Sequence, residues 1–433
     1  MNRHLSSRST RPEGLGLARR AASARAHPHT SEQLLEVKDM FGMVFRQKIG
    51  SSGLQLVSER NEINLMWDEQ HYAPETQETF QINTMWLPLV FFIGTVFATS
   101  GNGPKKPICE VIQVDSANNS DMLLPLAIIT DMDSKSKDTN NWYSTIRYGA
   151  LAFSHNRTSS FIHWLGGINI TSNMNFKQRS MEMSDLKIFR NRLLSVDDKL
   201  GLVYWLRNGT AVPWVIASTG DGSTATPFKG EWMTIRNDNL YLGSSGHEVV
   251  TATGEYINDD EMYIKVISPT GAMSTEDWTA RFVKLRRAVG IHFPGFMIHE
   301  AVHWSDIHKK WFFLPRYASK LPFDATNVYE TGSNMLLSTS DCFCDTKVVH
   351  IGKQEQTRGF SAFQFIPGTK DEIIVALKTS EVPADPAKPF ENHIFSTWIT
   401  IFKIDGTVIL EDQALDDGVK YEGIEFANVF QCL

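Results

Sequence analysis

Five segments of this sequence repeat one pattern. A residue carrying an oxygen ligand, serine or glutamate, heads an apolar stretch at Ser184 (SDLKIF), Glu231 (EWMTI), Glu300 (EAVHW), Ser361 (SAFQFI) and Glu422 (EGIEF). The intervals are 47, 69, 61 and 61 residues. Three carboxylates and two hydroxyls brought together repel one another unless a cation sits among them. A hard divalent ion with an all-oxygen shell meets that need, and calcium is the expected ion. Five such units suit a β-propeller, in which the innermost strand of each blade faces a central channel.

Glu300 also falls in a second pattern. His299-Glu300-Ala301-Val302-His303 spells H-E-x-x-H, where two histidines one helical turn apart bind zinc and the glutamate is the general base. That chemistry requires a helix. Pro294-Gly295 stands just ahead, and Trp304 to Pro315 reads as a hairpin, so a strand is expected instead. A zinc metalloprotease using His299, Glu300 and His303 is therefore one alternative. A non-catalytic, calcium-stabilised binding propeller is another. No G-x-x-x-x-G-K-[ST] occurs, which excludes a P-loop enzyme, and no C-x-x-C occurs, which excludes a zinc ribbon or thioredoxin site.

The elements that must position these residues are β-strands. From Leu123 onward, short apolar runs such as LVYWL, YIKVIS, EIIVALK and TWITIFKIDGTVIL alternate with turn signals. Asn208-Gly209, Asp221-Gly222 and Asp405-Gly406 mark three of the turns. One helix is expected over Thr275 to Val289, with a capping box at Ser274-Thr275-Glu276-Asp277 and Trp278, Phe282 and Leu285 on one face.

Of 433 residues, 42% are hydrophobic and 21% charged, a normal globular balance, and the net charge is −7. A reader of duplex phosphates is excluded by that charge. Residues 1–30 hold six arginines against the single acid Glu13, so the remaining sequence is more acidic still. An acidic protein acting on an anionic substrate needs local cations.

The run Met85 to Ala98, MWLPLVFFIGTVFA, is 14 residues long, short of the ~20 that span a bilayer. It matches the apolar core of a signal peptide, with small residues Ala98 and Ser100 at a cleavage position. Sequons follow at Asn118, Asn156, Asn169 and Asn208. These features place the protein in the secretory pathway, secreted or lumenal, and membrane-bound only if the apolar segment is kept as an anchor. Residues 1–84 read as a poorly structured extension, 85–100 as the signal-like segment, 101–120 as a linker and 121–433 as the propeller. Cys109 and Cys432 could close a ring between the two ends of the folded part, or all four cysteines could be free thiols.

The chain resembles the calcium-activated nucleotidase, or Cimex-type apyrase, family. The matching stretches include Met181 to Leu186, Leu194 to Asp198, Gly201 to Tyr204, Ala211 to Ile216 and Phe228 to Trp232. They continue through Pro294 to Glu300, Trp311 to Arg316, Gly359 to Ser361, Asp371 to Lys378 and Lys420 to Phe426. The resemblance implies a five-bladed propeller with calcium in its channel, hydrolysing nucleoside di- and triphosphates. It implies a calcium shell of Ser184, Asp185, Glu231, Glu300, Ser361 and Glu422, with Asp185 able to serve through its backbone carbonyl. It also implies Asp131, Asp198 and Arg316 as active-site residues, with Asp133 and Glu182 beside the substrate. Ala362 stands where a second serine is expected, and His303 is foreign to its motif. In such chemistry an aspartate orients and deprotonates water, and the planar fork of an arginine grips phosphate oxygens.

Overall fold

The computed structural model describes residues 109–112 and 121–433, apart from positions 155 and 416 and the side chain of Ser134, together with the backbone of three earlier strands. Those strands are β1 (Leu34–Lys38), β2 (Val44–Gly50) and β3 (Gly53–Leu56). They form an antiparallel sheet in order β1-β2-β3, within a stretch where the sequence reading expected little structure. The apolar run Met85–Ala98 and the sequon Asn118 lie outside the described residues.

The rest is all-β, built of four-stranded antiparallel meanders. One run comprises β4 (Met122–Asp131), β6 (Asn141–Phe153) and β7 (Ser160–Ser172), with the short β5 (Lys137–Asp138) paired to β6. The next comprises β8 (Met183–Phe189), β9 (Arg192–Asp197), β10 (Leu202–Arg207) and β11 (Thr210–Ile216). A third holds β12 (Trp232–Arg236), β13 (Asn239–Gly243), β16 (Tyr263–Ile267) and β17 (Met273–Asp277). The small pair β14 (Val249–Val250) and β15 (Tyr256–Asn258) is inserted in its connection. A fourth holds β18 (Gly295–Ser305), β19 (Lys310–Pro322), β20 (Met335–Thr339) and β21 (Lys347–His350). A fifth holds β22 (Gly359–Phe365), β23 (Ile373–Pro383), β24 (His393–Lys403) and β25 (Val408–Ala414). The last strand, β26 (Lys420–Glu425), does not extend the fifth run. It pairs antiparallel with β4, heading the order β26-β4-β6-β7. A one-residue parallel bridge, Thr171 to Thr210, fuses that run to the second as one sheet.

The lead strands β8, β12, β18, β22 and β26 touch one another in a closed cycle. β8 and β26 are buried along their whole length, as strands with cover on both faces must be. Hydrophobic clusters fill the spaces between neighbouring sheets; one packs Trp232, Trp278 and Trp311 together. Asn208 and Gly209 both take positive φ, 51° and 71°, and turn β10 into β11 as the Asn-Gly signal requires.

The helix starts later than its sequence suggests. α1 spans Thr279–Arg287, and Ser274 to Asp277 instead form most of β17, paired with β16. The expected capping box is absent, and the Thr279 amide donates to Asp277 Oδ1 at 2.8 Å. The ring between Cys109 and Cys432 is closed by a disulfide, Cα–Cα 4.4 Å. Asn156, Asn169 and Asn208 are exposed.

Candidate active site

Four of the five polar residues found by spacing occupy one kind of backbone irregularity. In β8, β18, β22 and β26 the pairing register skips a residue, and the skipped residues are Ser184, Glu300, Ser361 and Glu422. A bulge leaves its extra residue outside the ladder and re-aims its side chain, so these strands release one polar group each from sheet pairing. The fifth, Glu231, stands immediately before β12, its amide donating to the Gly243 carbonyl at 2.8 Å. Beside the last bulge, Gly423 lets β26 approach β8. A Cβ there would lie 2.7 Å from the Asp185 carbonyl carbon and from the Leu186 nitrogen.

A cavity of about 480 Å³ opens at this end of the cycle. Glu231, Glu300 and Glu422 line it with Asp131, Asp133, Asp198 and Arg316, which unites seven of the sequence-selected residues. Ser184 and Ser361 are buried but do not line it. Glu182 is fully buried to one side, held by Arg179 through Nε at 2.6 Å and through Nη2. Carboxylate oxygens of Asp131, Asp133 and Glu182 lie within 4.8 Å of one another. Asp185 is directed elsewhere. Its oxygens accept from the amides of Leu186 at 2.7 Å and Met233 at 2.6 Å, and its carbonyl accepts from the Ser195 hydroxyl at 2.6 Å. It fastens β8 to β12.

Five cations meet these acids, Arg179 among them, and sequence reasoning found only Arg316. Arg316 Nη1 donates to Glu300 Oε2 at 2.7 Å and to Glu422 Oε1 at 2.8 Å, while Nη2 reaches Glu381 at 3.3 Å. Lys420 Nζ lies 2.8 Å from Asp131 Oδ2, 3.3 Å from Asp133 Oδ2 and 3.4 Å from Glu422 Oε1. Lys199 pairs with Asp198 at 2.7 Å, and Lys229 pairs with Glu231. A signal for two of them was present. Lys229-Gly-Glu231 and Lys420-Tyr-Glu422 share a Lys-x-Glu spacing, which puts both side chains on one face of an extended segment.

Burial sets the electrostatics. It raises Glu300 to about 7 against the opposing pull of Arg316, and it raises Glu231 and, well above its ordinary range, Glu422. Asp198 rises to about 6 through burial, with Lys199 opposing and Asp131 adding to the rise. Burial works against Asp131 too, but Lys420 and Lys199 outweigh it and hold that carboxyl below its usual value. Asp198 Oδ1 has no hydrogen-bond partner.

The donor set fits a hard cation. Ser184 Oγ is buried without a partner. Ser361 gives its only proton to the Tyr421 carbonyl at 2.9 Å, which leaves hydroxyl lone pairs for a cation. Three glutamates driven toward protonation by burial are the acids that a divalent ion would re-ionise.

The zinc site is absent. His299-Glu300-Ala301-Val302-His303 lies in β18, not on a helix. The His299 ring stacks on Phe282 at 5.5 Å and meets Phe313 at 5.2 Å, and burial lowers its pKa to about 3. Neither histidine lines the cavity. His303 belongs to another layer. Three residues beyond each of the five polar positions stand Lys187, Thr234, His303, Gln364 and Glu425, all buried. His303 Nδ1 lies 3.5 Å from Lys187 Nζ and 3.4 Å from Thr234 Oγ1, and Lys187 reaches Glu425 at 3.6 Å.

The family model for apyrase matches residues 130–427, a span that begins beside Asp131 and holds every residue of the cavity. This chain belongs to the apyrase family. Among its relatives, soluble calcium-activated nucleotidase 1 of Rattus norvegicus is 40% identical over 304 residues, covering 70% of this chain and 73% of the relative. Apyrase apy-1 of Caenorhabditis elegans is 39% identical over 305 residues, covering 70% and 84%. The apyrase of Cimex lectularius is 38% identical over 308 residues, covering 70% and 82%. In this apyrase-family chain the matched span holds all five lead strands and, apart from most of β4, their meanders, and leaves β1 to β3 outside.

Proposed function

We propose that this apyrase-family chain hydrolyses nucleoside di- and triphosphates with calcium, releasing inorganic phosphate. The chain is a hydrolase of nucleoside phosphates. The observation that carries the reading is the convergence of Glu231, Glu300, Glu422, Asp131 and Asp198 with Lys199, Lys229, Arg316 and Lys420 around one cavity. The four-stranded meanders are read as blades of a five-bladed propeller spanning 121–433, with the lead strands around its channel. The relatives' calcium-activated name supports the choice of ion.

Glu231, Glu300, Glu422, Ser184 and Ser361 would hold the calcium, while Asp185 contributes by fixing β8 against β12. When bound, the ion supplies charge neutralisation at phosphate oxygens. The chain's own groups do the rest. Asp198, with one free oxygen and a pKa raised by burial to about 6, accepts a proton from the attacking water. The water oxygen bonds to the terminal phosphorus as the anhydride P–O bond breaks. Asp131, kept ionised by Lys420, orients that water. Arg316 and Lys420 stabilise the charge that develops on the phosphates. Asp133 and Glu182, both held by Arg179, shape the approach.

Purified protein is expected to release phosphate from ADP, UDP, GDP and the triphosphates in calcium, far less in magnesium, and none in EGTA. Equal release in EGTA would refute the reading.

Secretion is proposed from the Met85–Ala98 run, the exposed sequons and the Cys109–Cys432 bond. No helix among the described residues is long and apolar enough to cross a membrane. Protein made in a eukaryotic host should begin near Ala98 and carry glycans at Asn156, Asn169 or Asn208. An unglycosylated product retaining Met1 would contradict this.

A further inference from the structure

The two disulfides differ in the properties that govern exchange. Cys109 and Cys432 are buried, and their bond joins residues 323 positions apart. Cys342 and Cys344 are exposed, and their bond spans a separation of 2. Stabilisation by a cross-link grows with the loop it closes, so the shorter bond contributes less. Exposure also leaves its sulfurs open to an attacking thiolate.

Other contacts already hold the short loop. Asp345 Oδ1 accepts from the Ser340 amide at 2.7 Å and from the Ser340 hydroxyl at 2.6 Å. Phe343, between the cysteines, is 2% exposed. Its ring packs on Trp278 at 5.6 Å and Phe313 at 5.9 Å. That anchoring maintains Phe343 at φ 52°, a left-handed conformation that non-glycine residues seldom take. Both sulfurs therefore stay at the surface whether or not they are joined.

The surroundings favour one direction of attack. Lys284 Nζ lies 3.2 Å from the Cys342 carbonyl oxygen, and the Ser340 hydroxyl lies 3.2 Å from Cys342 Sγ. Lys310, 3.3 Å from Asp345 Oδ2, offsets the carboxylate charge. The ammonium is held at the Cys342 backbone, and a positive charge on that residue favours its thiolate over that of Cys344, so we take Cys342 as the leaving group and Cys344 as the attacked sulfur.

We propose that Cys342–Cys344 is a thiol-exchange site for low-molecular-weight thiols such as glutathione. The external thiolate attacks Cys344 Sγ, the S–S bond breaks, and Cys342 leaves as a thiolate that takes up a proton. A mixed disulfide remains on Cys344. A second external thiol displaces it, giving the oxidised external disulfide and two protein thiols, a two-electron reduction supplied by two thiols.

The test titrates the full native chain with glutathione redox buffers, alkylates it, and maps each cysteine by peptide mass. Cys342 and Cys344 should open at reductant concentrations at least tenfold below those needed for Cys109–Cys432. A glutathione adduct should form on Cys344, and the melting temperature should move by less than about 3 °C. Cys344→Ser should remove the low-concentration step and leave the Cys109–Cys432 step in place. Joint opening of both pairs, free Cys342 and Cys344 thiols in unreduced protein, or an adduct on Cys342 alone would overturn the assignment.

Discussion

Asp198→Asn is expected to lower kcat by about 10²-fold or more while KM and melting temperature change little, because asparagine fills the same space but accepts no proton. The pH profile gives a sharper test. A general base works only when deprotonated, so wild-type kcat should fall as pH drops through about 6, where burial holds Asp198. That limb should vanish in Asp198→Asn. Arg316→Ala should also cost about 10²-fold or more through lost charge stabilisation. Its background differs, since Glu300 and Glu422 lose a shared donor. Retention of full turnover and of the acid limb in both variants would remove Asp198 and Arg316 from the mechanism.

Glu300→Gln should weaken calcium at least tenfold, because one anionic ligand leaves a hard-cation site. Calcium should then raise the melting temperature much less, since an ion bound to the folded state alone stabilises it by mass action. His303→Ala should keep calcium-dependent turnover, as that side chain lies in the next layer against Lys187. The metal-free protein carries a pH signature of the same residue. Glu300 is near 7 when folded and 4.5 in its ordinary state, so the folded form binds more protons between those values. Stability from this group is therefore complete below pH 4.5 and lost as pH rises to about 7. Glu182, raised to about 8 by burial, acts in the same direction. A melting series in EGTA should decline from pH 5 to pH 8, and calcium should flatten it. A zinc-dependent melting shift lost in His303→Ala would refute the calcium assignment.

Spacing in the sequence located the five polar positions because each begins an apolar strand, and apolar strands are what periodicity reports. It could not reveal the bulges, since skipping a residue in pairing leaves no mark in composition. Nor could it show how Asp185 is held. That residue follows the bulged Ser184, and the register shift leaves its carboxylate capping the amides of Leu186 and Met233. The helix start was misread because Ser274 to Asp277 carry capping residue types, yet β16 supplies their backbone partners. Lys199, Lys229 and Lys420 were overlooked because a single lysine beside an acid looks like solvated surface. Only the closed cycle of lead strands makes Lys420 interior and brings the partly exposed Lys199 and Lys229 to the cavity.

The pairing of β26 with β4 has a consequence for biosynthesis. During translation, β4, β6 and β7 emerge before the other meanders, and the edge of β4 that β26 will occupy stays bare while those are made. The strand that covers that edge also delivers Glu422 and Lys420 to the cavity, and Cys432 to Cys109. Nascent protein therefore passes through a long stage with an open strand edge and an incomplete acid cluster, the state most exposed to misassociation. A nonsense codon just before Lys420 would remove few residues, yet it would leave every molecule arrested at that stage.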